Sequence, residues 1–401
     1  MSSSTVASTT GAPLTLKEGL RGRTNSFGFL RLTMAALVIY SHAWIVGGWG
    51  DDPIGRATRV QESFGGLAVV GFFTISGYLV AKSADQNDIL QFLWHRVLRI
   101  FPGFWTVLIV SALVVGPFVW HLRGILPFWD YFTQTGQGPF TYITHNLDLV
   151  MRQTEIGHLF SPSVPGFAGR SHVDSVNASL WTLVYEWRCY LFLAVLCVFG
   201  VVKRLRIAIV AIAAVLALAL LSGAFPAGSS SNLLPFMDAK FVKLAYAFAC
   251  GSALYAYSDR LTLERRYGVL AWVAVIATLL GGGWLVIGIP AFAYALMWTS
   301  AALPGVFRTI NAKNDYSYGV YVYGFVVQQT TVALGWNSWG LVPWLLACLA
   351  ITGGCAWLSW HIVEKNAMKL RHWGPGRGLD HWRGRVAGWV RRSTSAPPLA
   401  R

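Results

Sequence analysis

Long apolar runs alternate with short charged or Gly/Pro-containing stretches along almost the whole chain. The runs lie near residues 27–47, 64–82, 100–120, 178–199, 206–222, 240–257, 267–281, 284–301, 315–334 and 341–362. Most approach the roughly 20 apolar residues that cross a hydrocarbon core about 30 Å thick. The pattern predicts an all-α, polytopic transmembrane helix bundle of about ten spans. Gly281-Gly282-Gly283 interrupts one stretch, and periodicity alone leaves open whether 267–301 forms two spans or one kinked helix. The interval at about 121–177 is too long for a turn. Its Gly, Pro, aromatic and mixed charged residues predict a large outer loop folded over the bundle. The expected plan is therefore a tail at 1–26, a membrane domain at 27–362 and a basic tail at 363–401.

Composition agrees with this plan. The 401 residues are 55% hydrophobic and only 12% charged, against about a quarter charged in soluble domains. The formal charge of +15 is dispersed between apolar runs rather than gathered in one patch, which excludes nucleic acid as the expected partner. The lipid bilayer is the expected one. Most of the 32 Lys and Arg fall in segments on one side of the ten-span plan. Only Arg56, Arg59, Arg123, Arg152, Arg170 and Lys240 fall on the other. The positive-inside rule then predicts that both termini are cytoplasmic in a multi-pass protein of the cell (inner) membrane. The first run follows Lys17, Arg21 and Arg23 like a signal peptide. It contains Arg31 and His42 and lacks a clean cleavage site, so it reads as a retained span. All five cysteines lie in apolar runs without metal spacing. No P-loop, dinucleotide fingerprint or internal repeat is present.

A charge near the bilayer centre costs about 2.5–3.5 kcal/mol and marks a functional candidate. Arg31 and His42 share the first span, separated by roughly 16 Å along its axis. Glu186 follows Ser179-Leu180-Trp181 on the fourth. If that span starts near Ala178, Glu186 lies about 12 Å from the outer face and His42 about 8 Å. At similar depth, a carboxylate can orient the imidazole and raise its basicity. The alternative is a Glu186–Arg188 or Glu186–Lys243 pair. Arg96 and Arg99, three residues apart at the inner mouth of the third span, put two guanidinium forks on one face, as phosphate groups require. The Gly/Ser/Tyr-rich stretches at 72–78 and 316–321 fit close helix packing. His145, His158 and His172 have no acidic or Cys partner at ligand spacing, so no metal is expected. Ser171-His172-Val173-Asp174-Ser175 holds triad residue types, but adjacency in sequence is not triad geometry.

Together these residues resemble the acyltransferase-3 family of bacterial integral-membrane O-acyltransferases. The Arg31-x10-His42 spacing, Arg96-x-x-Arg99 and Ser179-Leu180-Trp181-x4-Glu186 are similar to its motifs. Phe73-Thr74-Ile75-Ser76-Gly77-Tyr78-Leu79, Tyr318-Gly319-Val320-Tyr321 and Val363-Glu364-Lys365 add matches in the same order. Members often carry His where this chain has Gly324, and Pro where Asn366 follows Lys365. A second essential His on the ninth span is therefore not expected. No SGNH-type domain follows, so a stand-alone transferase is expected.

The resemblance implies that His42 and Glu186 serve the chemistry and that Arg31, Arg96 and Arg99 serve the donor. It also implies no bound cofactor, with acyl-CoA, commonly acetyl-CoA, as a donor substrate used from the cytoplasmic side. The acceptor would be a hydroxyl of an extracytoplasmic glycan or glycolipid. Direct transfer with His42 as base and relay through an acyl-His remain equally compatible. The rival reading is a transporter or flippase of a lipid-linked saccharide, using the same charges as a pathway.

Overall fold

The computed structural model describes residues 13–22, 25–125, 127–161, 173–200, 206–223 and 238–394. Helices occupy every predicted apolar segment: α1 Phe27–Gly47, α2 Phe64–Gln86, α3 Ile89–Val110, α4 Thr182–Val198, α5 Arg206–Leu221, α6 Ala239–Ala256, α7 Arg265–Gly281, α8 Ile289–Ala302, α9 Ser317–Ala333 and α10 Leu341–Ser359. A further helix, α11, covers Leu379–Thr394. Five helical rods are long and apolar enough to cross a bilayer: Phe27–Gly47, Phe64–Gln86, Ile89–Leu122, Trp284–Ala302 and Leu341–His372. No strand occurs among the described residues; Thr15 and Thr262 make an isolated bridge.

The third rod departs most from the sequence reading. The third rod starts at Ile89, not near 100, because Asp88 and Gln91 form a capping box. It continues past Pro102 through a π-helical turn at Ser111–Val115 to Leu122. The stretch 267–301 is two helices. Gly282 and Gly283 have φ of 107° and 90°, a conformation that glycine alone adopts readily. They fold α8 back along α7, where Trp272 Nε1 donates to Thr299 Oγ1 at 3.0 Å.

Helix α9 lies at the centre and is buried along nearly its whole length. Its polar side chains find partners on its neighbours. Gln328 Nε2 donates to the Ile39 carbonyl at 2.8 Å, and Tyr318 Oη to the Ile100 carbonyl at 2.7 Å. Such bonds join helices where apolar burial between them provides little drive. Gly324 meets the Ile39 side chain, so α1 fills the space that a larger side chain there would need. Close approach also joins α2 to α6. A Cβ on Gly77 or Gly251 would collide with the other helix's backbone, and Ser252 Oγ donates to the Gly77 carbonyl at 3.1 Å.

Around this core, α5, α7 and α10 turn apolar side chains outward, including Ile207, Leu218, Leu270, Ile276, Leu346 and Leu358. An exposed apolar belt of this kind is solvated by lipid, and the chain is a membrane protein. The N- and C-terminal segments share one end of the bundle. Leu16 N donates to the Leu261 carbonyl and Ser26 N to the Ser300 carbonyl, both at 2.8 Å. Trp94 Nε1 donates to the Leu370 carbonyl, and Leu379 N to Asp88 Oδ2, both at 2.9 Å.

Candidate active site

The buried charges form two levels. At the lower level, next to the end that gathers both terminal segments, Asp315 precedes α9 and pairs with Arg31 of α1 and with Arg99 of α3. The Arg99 contact measures 2.6 Å. Asp315 also accepts from Asn311 Nδ2 at 3.0 Å and from Ser317 Oγ at 2.5 Å. Arg99 further approaches Glu364 at 3.7 Å and lies over the Tyr318 ring, 5.6 Å from its centroid. Arg96 does not join this carboxylate. Its guanidinium lies over the Tyr190 ring at 5.7 Å, and its buried Nε has no hydrogen-bond partner. The two arginines stand about two and three turns inside α3 rather than ahead of it.

Glu186 belongs to this lower level. Its Oε1 accepts from Ser76 Oγ at 3.0 Å and from the Tyr190 hydroxyl. With Arg31, Tyr318 and Tyr321 it lines a cavity of about 40 Å³. Neither anticipated pair holds. Lys243 bonds Glu62, which also accepts from Trp284 Nε1 at 3.0 Å. Arg188 lies over the Tyr185 and Phe241 rings at 5.4 and 5.8 Å.

His42 occupies the upper level, on the wall of an open cavity of about 580 Å³. Its ring stands edge-on to Phe325 at 5.1 Å, and its buried Nδ1 has no hydrogen-bond partner. The expected His42–Glu186 contact does not form. Helix α2 packs against α1 with Gly65 beside Ser41 and Gly71 beside Met34. This register sets Ser76, and Glu186 with it, level with Arg31, about three turns below His42. Val69 and Tyr321 line both cavities and stand between the two levels. A third cavity of about 410 Å³ between α4, α5 and α6 is almost wholly apolar, opens among outward-facing side chains and lies away from His42.

The arrangement puts Arg31 and Arg99 with their acids at one end, the His42 imidazole in an open cavity toward the other, and the shared wall of Val69 and Tyr321 between them. Comparison with known proteins decides the family. The acyltransferase domain family matches residues 25–361. The chain belongs to the acyltransferase-3 family. Among its relatives, an O-acetyl transferase of Shigella phage Sf6 is 28% identical over 347 residues, covering 86% of this chain and 96% of that protein. Nodulation protein 10 of Rhizobium leguminosarum bv. viciae is 30% identical over 385 residues, covering 88% and 96%. No solved structure matches.

For this acyltransferase-3 chain, the site residues that sequence reasoning missed are the acids facing its cations. Asp315 and Glu62 sit in connections between helices, where an acid reads as an ordinary turn residue. Glu62 is 7% exposed and Lys243 lines the His42 cavity. Breaking a buried pair by removing one partner leaves the other charge uncompensated, at about 3–5 kcal/mol. Lys243→Met is expected to lower the thermal midpoint of the detergent-solubilised protein. The Lys243→Met/Glu62→Gln double variant should recover most of that loss. Equal midpoints for the two variants would mean that the pair carries no coupling.

The long connection at 121–177 is folded in its described residues, as its composition predicted. Tyr131, Tyr142, Ile156 and Phe160 are buried in it, and Tyr131 Oη donates to the Ala112 carbonyl at 2.5 Å. The expectation that its histidines lack acidic partners fails at His158, which meets Glu155 at 3.0 Å and Asp174 at 3.3 Å. His145 has no such partner among the described residues; Ser171 and His172 lie outside those residues. Donor atoms of Glu155, His158 and Asp174 lie within 4.8 Å of one another, the one such cluster among the described residues. Arg123 already supplies positive charge beside them, donating to the His158 and Leu159 carbonyls at 2.7 and 2.6 Å, so we read the cluster as ion pairs.

The bond to Asp174 and the charge of Glu155 raise His158 above its ordinary value of 6.5. A raised folded-state value stabilises the closed loop fully below the unfolded value, and that contribution is lost as pH rises through the folded one. Cleavage of this connection by protease added to the detergent-solubilised protein should therefore quicken from about pH 6 to about pH 8. His158→Ala should flatten the dependence.

Proposed function

We propose that the chain is an acyl-CoA-dependent O-acetyltransferase that moves an acetyl group from cytoplasmic acetyl-CoA to a hydroxyl of an extracytoplasmic or lipid-linked glycan. The observation that carries this reading is the partly buried imidazole of His42 in an open cavity, divided by the wall of Val69 and Tyr321 from the cavity that Arg31 lines below, in a chain of the acyltransferase-3 family. The ten helices then act as ten spans with both termini in the cytoplasm of a cell with this protein in its inner membrane. The shared end of the terminal segments supports that topology.

In this mechanism Arg31, Arg96 and Arg99 meet the donor's phosphates from the cytoplasmic side, with Asp315 setting the forks of Arg31 and Arg99 before the donor arrives. The thioester arm extends toward His42. His42 takes the proton of the acceptor hydroxyl while the oxygen attacks the thioester carbonyl, or accepts the acyl group itself and passes it on. The departing thiolate takes up a proton. Glu186 acts as a positioning residue of the donor level, held by Ser76 and Tyr190, and not as the partner of His42. The name of the phage relative, an O-acetyl transferase, favours acetyl among acyl groups and transfer to oxygen over carriage of a saccharide.

The test is label transfer from [acetyl-14C]acetyl-CoA in membranes that contain the protein, followed by separation of glycan and lipid fractions. Label entering either fraction only with the protein present supports the reading and identifies the acceptor class. Movement of a lipid-linked saccharide without acetyl-CoA would replace it with the transporter reading.

A further inference from the structure

We infer that Tyr321 is the gate between the donor level and the acceptor cavity. This rests on the proposed transfer reaction. Arg31 and His42 lie on one helix about 16 Å apart, and α9 runs alongside α1 in the same direction. Asp315 pairs with Arg31 at the lower end, and Phe325 packs on the His42 ring at the upper end. Tyr321 comes one turn after Ser317 and one turn before Phe325, about 6 Å from each along the axis. An arm reaching from Arg31 to His42 has to pass its ring.

The ring is held shut from three sides. Its hydroxyl donates to the Ser179 carbonyl at 2.7 Å and shares a 2.5 Å hydrogen bond with Thr182 Oγ1. Phe72 stands edge-on to it at 5.7 Å. The side chain is buried, yet it and Val69 form the wall common to both cavities. The latch lies where the chain enters α4. Asn177 Nδ2 bonds the Val322 carbonyl at 2.8 Å, so the segment carrying Ser179 and Thr182 is fixed to the same turn of α9 that carries Tyr321.

Two consequences follow. The cavity below the ring measures about 40 Å³, room for roughly three water-sized groups, so a donor arm enters only as an extended chain with a small acyl group at its tip. The closed ring also keeps water of the open cavity from a thioester waiting below. When the ring is absent, water adds to the thioester carbonyl, the C–S bond breaks, and the products are a carboxylic acid and a protonated thiol. That reaction needs no acceptor.

The experiment compares wild type, Tyr321→Phe, Thr182→Val and Tyr321→Ala in membranes. Acetyl transfer to acceptor is measured beside acceptor-free release of CoA thiol from acetyl-, butyryl- and hexanoyl-CoA. Tyr321→Ala should raise the ratio of hydrolysis to transfer by about tenfold or more and admit hexanoyl-CoA, a poor donor for wild type. Tyr321→Phe and Thr182→Val keep the bulk and loosen the latch, so they should raise the ratio a few-fold and leave the acyl preference as it is. Transfer that falls in all three variants with ratio and acyl profile unchanged would show that Tyr321 only packs. If Tyr321→Ala does not accumulate, the Phe and Val variants decide by the same ratio. Wild type without any acetyl-CoA-dependent transfer would instead remove the reaction on which the gate depends.

Discussion

Replacing His42 with alanine is expected to lower acetyl transfer by roughly a hundred- to ten-thousand-fold, the range a positioned general base supplies. The protein should remain at its normal level in the membrane. His42 makes no hydrogen bond through its buried Nδ1 and stands edge-on to Phe325. Its loss therefore breaks no structural bond at that atom, and the cavity it lines is already open. A structural histidine would behave in the opposite way, with altered yield and activity falling in proportion. Binding of acetyl-CoA, measured by equilibrium dialysis, should survive the substitution, because the arginines lie about three turns below. Near-normal turnover of His42→Ala would remove both the base and the acyl-relay versions of the mechanism. His42→Gln adds a control, since it keeps a polar side chain of similar size without a titratable ring nitrogen.

Much of this site was legible in the sequence because a charge inside an apolar run stands out against its surroundings. Arg31, His42 and Glu186 were visible for that reason, and the apolar runs marked helices α1 to α10, though not the polar α11. Depth was less legible. Counting residues from Ala178 assumed that the chain starts its helix at the membrane face. Instead, Asn177 already bonds the Val322 carbonyl inside the bundle, and Ser179 accepts from Tyr321 there. The helix opens only at Thr182, so Glu186 ends level with Ser76 rather than with His42. Partners were the least legible feature. Asp315 pairs with side chains more than two hundred positions away, and nothing in local spacing marks it. The Gly/Ser/Tyr-rich stretches also held more than packing, since Ser76 bonds Glu186 and Tyr321 stands between the two cavities.

Asp315 is the position at which substitution should cost most in stability. One carboxylate receives Arg31 from α1, Arg99 from α3, Asn311 from its own connection and Ser317 from the start of α9. Alanine there leaves two guanidinium groups without the carboxylate they share, while Glu364 stays 3.7 Å from Arg99. Removing one partner of a buried ion pair costs about 3–5 kcal/mol. The arginine and aspartate side chains keep between 15 and 24% exposure, which allows water to offset part of this and favours the lower end. Asp315→Ala should accordingly show a lowered thermal midpoint and reduced folded yield in detergent. Asp315→Asn keeps a carbonyl acceptor and the shape, so it should fold. Its two arginines, no longer held by charge, should raise the KM for acetyl-CoA while kcat changes less. That split separates positioning of the donor level from a purely structural role, in which KM would follow wild type in whatever fraction folds. Adding Glu364→Gln to Asp315→Asn should deepen the loss of stability, because both acids face the same guanidinium. Wild-type stability and wild-type KM in Asp315→Asn and Asp315→Ala alike would mean that the arginines do not depend on this carboxylate.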